Sequence, residues 1–249
     1  MSETWPVYKG TSFNHWEPDT GIYYDSADAE SMITHLHEKR LSQRRTHSSA
    51  FAEQDETVTD DPATLPCRHP RIAFRNVTNP TNTRTLIAAL VPGDRVIVHH
   101  APYLLRTAGT AVDEAYVLGV LCSMPCDWQA RRTVELNLTF EQLNLLSIPD
   151  PGRGHPVRDR VAEVAALLAA QDDRFSGWAA DVGVPVGTVD VGGGGAWLLA
   201  ELDACVAYLY GLDENDITVV YDTFGRPGQW DDRREAVLNH FRRIEELRK

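Results

Sequence analysis

The run Arg75-Asn76-Val77-Thr78-Asn79-Pro80-Thr81-Asn82-Thr83-Arg84 packs two arginines, three asparagines and three threonines into ten positions. Asparagine reads adenine edges with paired hydrogen bonds, arginine reads guanine or phosphate, and threonine serves phosphates or thymine methyls. The same residue types build ordinary hydrogen-bonded turns. Composition leaves both readings open. A second group, Trp128-Gln129-Ala130-Arg131-Arg132, sets an aromatic beside paired arginines after a predicted helix. It suits a phosphate backbone, and equally a solvated helix end with Trp128 in the core.

Other chemistry finds less support. His99-His100, with Cys122 and Cys126, lacks the C-x-x-C or H-x-x-x-H spacing of a zinc site, and Pro125 distorts the helical spacing. Buried cysteines and hydrogen-bonded histidines are the simpler expectation. Gly192-Gly193-Gly194-Gly195 lacks the Lys-Ser/Thr of a P-loop and the strand-then-GxGxxG order of a dinucleotide site, so a loop is expected there. The pairs Asp172-Asp173, Asp231-Asp232 and Glu245-Glu246 fall at predicted helix ends or polar faces. No serine stands in a G-x-S-x-G elbow. No catalytic residue and no metal-ligating set is therefore expected.

The elements that must position these groups follow from periodicity. Ser26 or Asp28 suits the cap of a helix over 29–45. A polar acidic loop is expected over 46–66. Arg71–Val77 alternates as a half-buried strand does, and Thr85–Val91 and Arg95–His99 flank the turn Pro92-Gly93-Asp94. Asp113 suits the cap of a helix over 114–123, with Trp128–Arg132 continuing it. Val134–Leu138 reads as another strand. Helices are expected over 157–170, 172–182, 197–210, 213–224 (capped by Asp213) and 231–247. The fold class is mixed α+β: a β-rich region with inserted helices over 1–151, then a helical segment over 152–249.

The 249 residues carry a formal net charge of −12, which by itself disfavours nucleic acid. Distribution alters that. From Leu65 to Arg106 stand Arg68, Arg71, Arg75, Arg84, Arg95 and Arg106 against one acid, Asp94. A positive surface on an acidic body is one expectation. Four scattered cysteines, no apolar stretch long enough for a membrane helix and no leader-like start lead us to expect a reduced, cytoplasmic protein.

Several segments taken together resemble one family. They include Pro6-Val7-Tyr8-Lys9-Gly10, Arg71–Thr78, Asn82–Pro92, Ala101-Pro102-Tyr103-Leu104-Leu105, Ala115–Ser123, Trp128–Arg132 and Ile148-Pro149. The tail adds Ala200–Ala204, Ala207–Leu212 and Val219–Phe224. In order and spacing they are similar to the C-terminal half of Eco57I-type and DISARM-type adenine-specific DNA methylases, which carries a TaqI-like specificity domain. The family's glycine-rich S-adenosylmethionine loop and Asn-Pro-Pro-Tyr motif are missing. Asn79-Pro80-Thr81-Asn82 lacks the second proline and the aromatic that stacks on an extruded base. Leu121-Cys122-Ser123 also stands where the family often has Leu-Asn-Ser.

The resemblance implies a target-recognition module of a restriction-modification or phage-defence system, without catalysis of its own. Its implied partners are double-stranded DNA and a methyltransferase catalytic chain, which would carry S-adenosylmethionine. Side-chain chemistry then nominates Lys9, Arg75, Asn76, Thr78, Asn82, Arg84, Arg131 and Arg132 for DNA contact. Lys9, Arg131 and Arg132 fit phosphates, and Asn76, Asn82 and Arg84 fit base edges. The alternatives are a split or truncated remnant acting through protein contacts, or a methyltransferase with an unrecognised cofactor site.

Overall fold

Pro6, Gly10, Pro18 and Gly21 keep the aromatic N-terminal stretch short-paced. A computed structural model describes residues 3–190 and 194–246. β1 (Thr4–Tyr8) pairs antiparallel with β2 (Asp25–Asp28) and parallel with β5 (Val96–Ile97), giving the order β2-β1-β5. β3 (Arg71–Phe74) and β4 (Ala88–Val91) form a separate antiparallel pair, with Ile72 opposite Leu90. All eight of their residues are buried, so β3 does not alternate as the sequence suggests. Both faces of this pair are covered, and buried strands need no polar face. Tyr103 bridges Ala73 and extends the pairing.

Asp28 does cap α1 (Ala29–Gln43), accepting from the Ser31 amide. The acidic loop that follows holds a short α2 (Glu56–Asp60) and two 3-10 turns. α3 (Ala111–Leu121) starts earlier than expected. Thr110 is its cap, and Asp113 closes the capping box by accepting from the Thr110 amide. α4 (Met124–Thr133) is a separate helix capped by Ser123, with Pro125 in its first turn, where proline is tolerated.

No strand forms over 134–138; a lone bridge joins Asn137 to Val77, before α5 (Phe140–Leu143). Then come α6 (Pro156–Ala169), α7 (Ser176–Val182), α8 (Ala196–Leu209), α9 (Glu214–Asp222) and α10 (Asp231–Glu246). Asp213 caps α9 as expected. Gly192 and Gly193 of the glycine run, and Leu247 at the end of the last predicted helix, lie outside the described residues.

The class is therefore mixed α+β, with 47% helix and 10% strand. The first half is less β-rich than expected, because α1, α3 and α4 occupy much of it. Nor does the core break at 151/152. One apolar cluster runs from Trp16 and Ile72 through Leu118 and Val120 to Val164, Leu168 and Leu202. Gly119 makes this possible, since a Cβ there would stand 2.9 Å from Val161 Cγ1 and 3.0 Å from Ala165 Cβ. α3 thus lies flush on α6. Among the described residues no helix is long and apolar enough to cross a membrane.

Candidate nucleic-acid interface

The polar run between β3 and β4 folds as a turn on a rigid platform. Asn79 Oδ1 accepts from the Thr81 amide, the Thr81 hydroxyl and the Asn82 amide, so the turn chemistry is real. Thr78 is buried, and its hydroxyl donates to the Thr85 carbonyl at 2.7 Å. The Asn82 side chain donates to Thr78 Oγ1 at 3.3 Å. Thr81 and Thr83 are left exposed on the outside of the turn.

Beneath it lies Arg84. Its Nε sits 2.7 Å from Asp127 Oδ2, and Nη2 donates to the Cys122 and Ser123 carbonyls. Asp127 also accepts from the Thr85 and Leu86 amides. Burial pushes the Asp127 carboxyl up, while Arg84 and these amides pull it down. Arg84 was expected at a base edge. It is instead an internal staple between the turn and the first turn of α4, with no guanidinium face left for DNA.

Arg131 is the junction of the site. It donates to the Thr85 hydroxyl at 3.1 Å, to the Asn82 carbonyl and to the Thr223 carbonyl at 3.2 Å. Its guanidinium lies 4.0 Å from the Phe224 ring centroid. The turn, the end of α4 and the α9–α10 loop therefore meet at one side chain. Arg132 next to it is exposed and stacks over Trp128 at 4.3 Å, while the Trp128 indole donates to Thr223 Oγ1.

The α9–α10 loop adds what the sequence reading missed. Gly225 and Gly228 both take left-handed φ, and between them Arg226 is exposed. Among the described residues Arg132 and Arg226 pair with no carboxylate. The acids nearest Arg226 along the chain, Asp222 and Asp231, are both held by Arg234. The signal was legible in Phe224-Gly225-Arg226-Pro227-Gly228, a lone arginine between turn residues.

Three other nominees lie away from Arg131. Arg75 spends Nη2 on the Phe13 carbonyl at 2.6 Å, and the Asn76 side chain donates to the Leu138 carbonyl at 3.1 Å. Both hold the ribbon rather than face outward. Lys9 is half-buried beside Gly10, whose Cα approaches the His100 carbonyl. The basic stretch does not form one positive surface: Arg71 and Arg84 are inside, and Arg95 donates to the Gly93 and Asp94 carbonyls.

His15 reports on the same core. It stands in a tight turn between paired Asn14 and Glu17, where Trp16 takes a left-handed φ of 59°. Both ring nitrogens are sealed and lack hydrogen-bond partners among the described residues. Burial, with Arg84 and Arg233 nearby, holds the imidazole well below its usual pKa. Below about pH 6.5 the unfolded chain takes up a proton that the folded chain refuses. Stability should thus fall by about 1.4 kcal/mol per pH unit below that point until the folded histidine titrates, and H15Q should flatten this slope. Urea unfolding of both proteins between pH 7 and pH 5 measures it; equal slopes would refute a buried neutral imidazole.

No group of three His, Cys, Asp or Glu among the described residues is placed to hold a metal ion. All four cysteines are buried free thiols. Among the described residues β2 runs straight into α1 without a glycine loop, and β4 turns through Pro92-Gly93-Asp94 into β5. No protein-family model, curated protein or solved structure matches the chain.

Proposed function

We propose that the chain is a DNA target-recognition module serving an adenine-specific methyltransferase whose catalytic domain is on a separate chain. The supporting observation is the junction at Arg131, which brings the polar turn together with two unpaired surface arginines. The family resemblance of the motifs points the same way. Arg132 and Arg226 meet phosphates, and Thr81, Asn82 and Thr83 face base edges. Arg75, Asn76, Thr78, Arg84 and Arg131 shape the platform. Such a module works in the cytoplasm, where thiols stay reduced.

Fluorescence anisotropy on randomised duplex DNA, with and without a methyltransferase chain, tests the reading. The double variant R132A/R226A should weaken binding evenly across sequences and lower the slope of log K against log salt by roughly 2. Absence of binding in both conditions rejects the proposal. A second reading, a remnant acting through protein contacts, draws on Leu136 and Leu145, which are 72% and 71% exposed. It expects co-purification with a methyltransferase chain and no effect of R132A/R226A on DNA.

A further inference from the structure

A cavity of about 450 Å³ opens far from the Arg131 junction in sequence, between residues 64–71, the run 104–106, α3 and α7. Leu104, Leu105, Pro66 and Trp178 supply apolar walls. Glu114 from α3 lines it with a side chain only 8% exposed. Its Oε2 accepts the Trp178 indole N–H at 3.0 Å and lies 3.9 Å from Arg106 Nε, beyond hydrogen-bond reach. Burial pushes the Glu114 carboxyl up.

The cations on the lining are unequally occupied. Arg174 is neutralised by Asp172 and Asp19. Arg71 is buried, donates to the Pro66, His69 and Arg95 carbonyls and lies 4.9 Å from the Tyr103 ring centroid. Arg106 is 40% exposed and makes no hydrogen bond among the described residues. A desolvated carboxyl whose nearest cation stands off, beside two arginines without a hydrogen-bonded acid, adds little to folding. That arrangement in a concave, partly apolar site is the mark of a ligand pocket.

We propose that this cavity binds a small organic anion, a carboxylate or phosphate on an apolar body, with Arg106 as the anion-binding group. The body lies along Leu104, Leu105 and Trp178. Glu114 keeps Arg106 over the opening, and its charge, with that of Asp181 on the same lining, opposes the incoming anion. Arg106 must then swing from Glu114 to the ligand, a short movement for a half-exposed side chain. The inference is independent of any DNA role.

The test is a titration followed by tryptophan fluorescence and calorimetry, using adenosine monophosphate and benzoate as organic anions. Inorganic phosphate tests the head alone, and adenosine tests the body alone. One of the two organic anions should saturate, and which one does identifies the head group. R106A should weaken it at least about tenfold, the worth of one charge-assisted hydrogen bond. E114Q keeps an acceptor for the Trp178 N–H but removes the opposing charge, so it should bind as tightly or more tightly. W178F should remove the fluorescence change while calorimetry still reports binding. Opposite responses of R106A and E114Q cannot arise from general loosening. The idea fails if neither organic anion binds below roughly 10 mM. It also fails if R106A binds like the parent, if E114Q loses binding while folded, or if adenosine binds as tightly as the organic anion that saturates.

Discussion

Replacing Asp127 with alanine is expected to cost about 3–5 kcal/mol of folding stability, because it strands a buried charge. Arg84 would keep the Met124 sulfur and the Cys122 and Ser123 carbonyls but lose its carboxylate. The Thr85 and Leu86 amides would lose their acceptor as well. Removing both charges together, in D127A/R84M, should recover the part of the loss that comes from the stranded Arg84 charge, while the Thr85 and Leu86 amides still lack their acceptor. Urea unfolding of parent, single and double variants measures this. The double variant also decides the role of Arg84. On the proposed function, if Arg84 is a staple, D127A/R84M keeps the sequence preference of DNA binding. A changed preference would return Arg84 to a base edge.

Asp203→Ala should be of similar size, about 3–5 kcal/mol, for the same reason. This fully buried carboxylate of α8 accepts from the Met124 amide at 2.8 Å, the Tyr221 hydroxyl at 2.6 Å and Arg233 Nη2 at 2.6 Å. One side chain thus ties α8 to the start of α4, to α9 and to α10. Its loss leaves Arg233 without a carboxylate partner and Tyr221 without its acceptor. The loop carrying Arg226 hangs between α9 and α10, so local loosening reaches the candidate interface. Hydrogen exchange should speed up in α9 and α10 before the β3–β4 pair responds. On the proposed function, DNA affinity should fall although Asp203 touches no surface. Uniform exchange across the chain would show that Asp203 is not the local tie.

The helices were largely legible because their signals are local. Asp28 and Asp213 cap as an N-cap residue should, and α8 follows its apolar run. The errors also have local causes. Asp113 has the side chain of a cap, yet it is the reciprocal member of a capping box begun by Thr110. Val134–Leu138 alternates in sequence, yet Val134 and Leu138 are buried while Leu136 is exposed, a spacing of four rather than two. Within the candidate site, the turn at Asn79 was readable and its partner loop at Arg226 was overlooked.

From the sequence alone came most of the helices, the polar turn, and the lack of a recognisable catalytic or cofactor motif, since each depends on neighbours a few residues apart. Only the tertiary structure decided which arginines are spent and which are free. A guanidinium looks the same in any sequence. Whether it staples a core, as Arg84 does on Asp127, or meets solvent, as Arg132 and Arg226 do, depends on carboxylates and carbonyls brought to it from distant elements. Burial then makes such a pairing obligatory, because an unpaired charge inside the protein is too costly to leave.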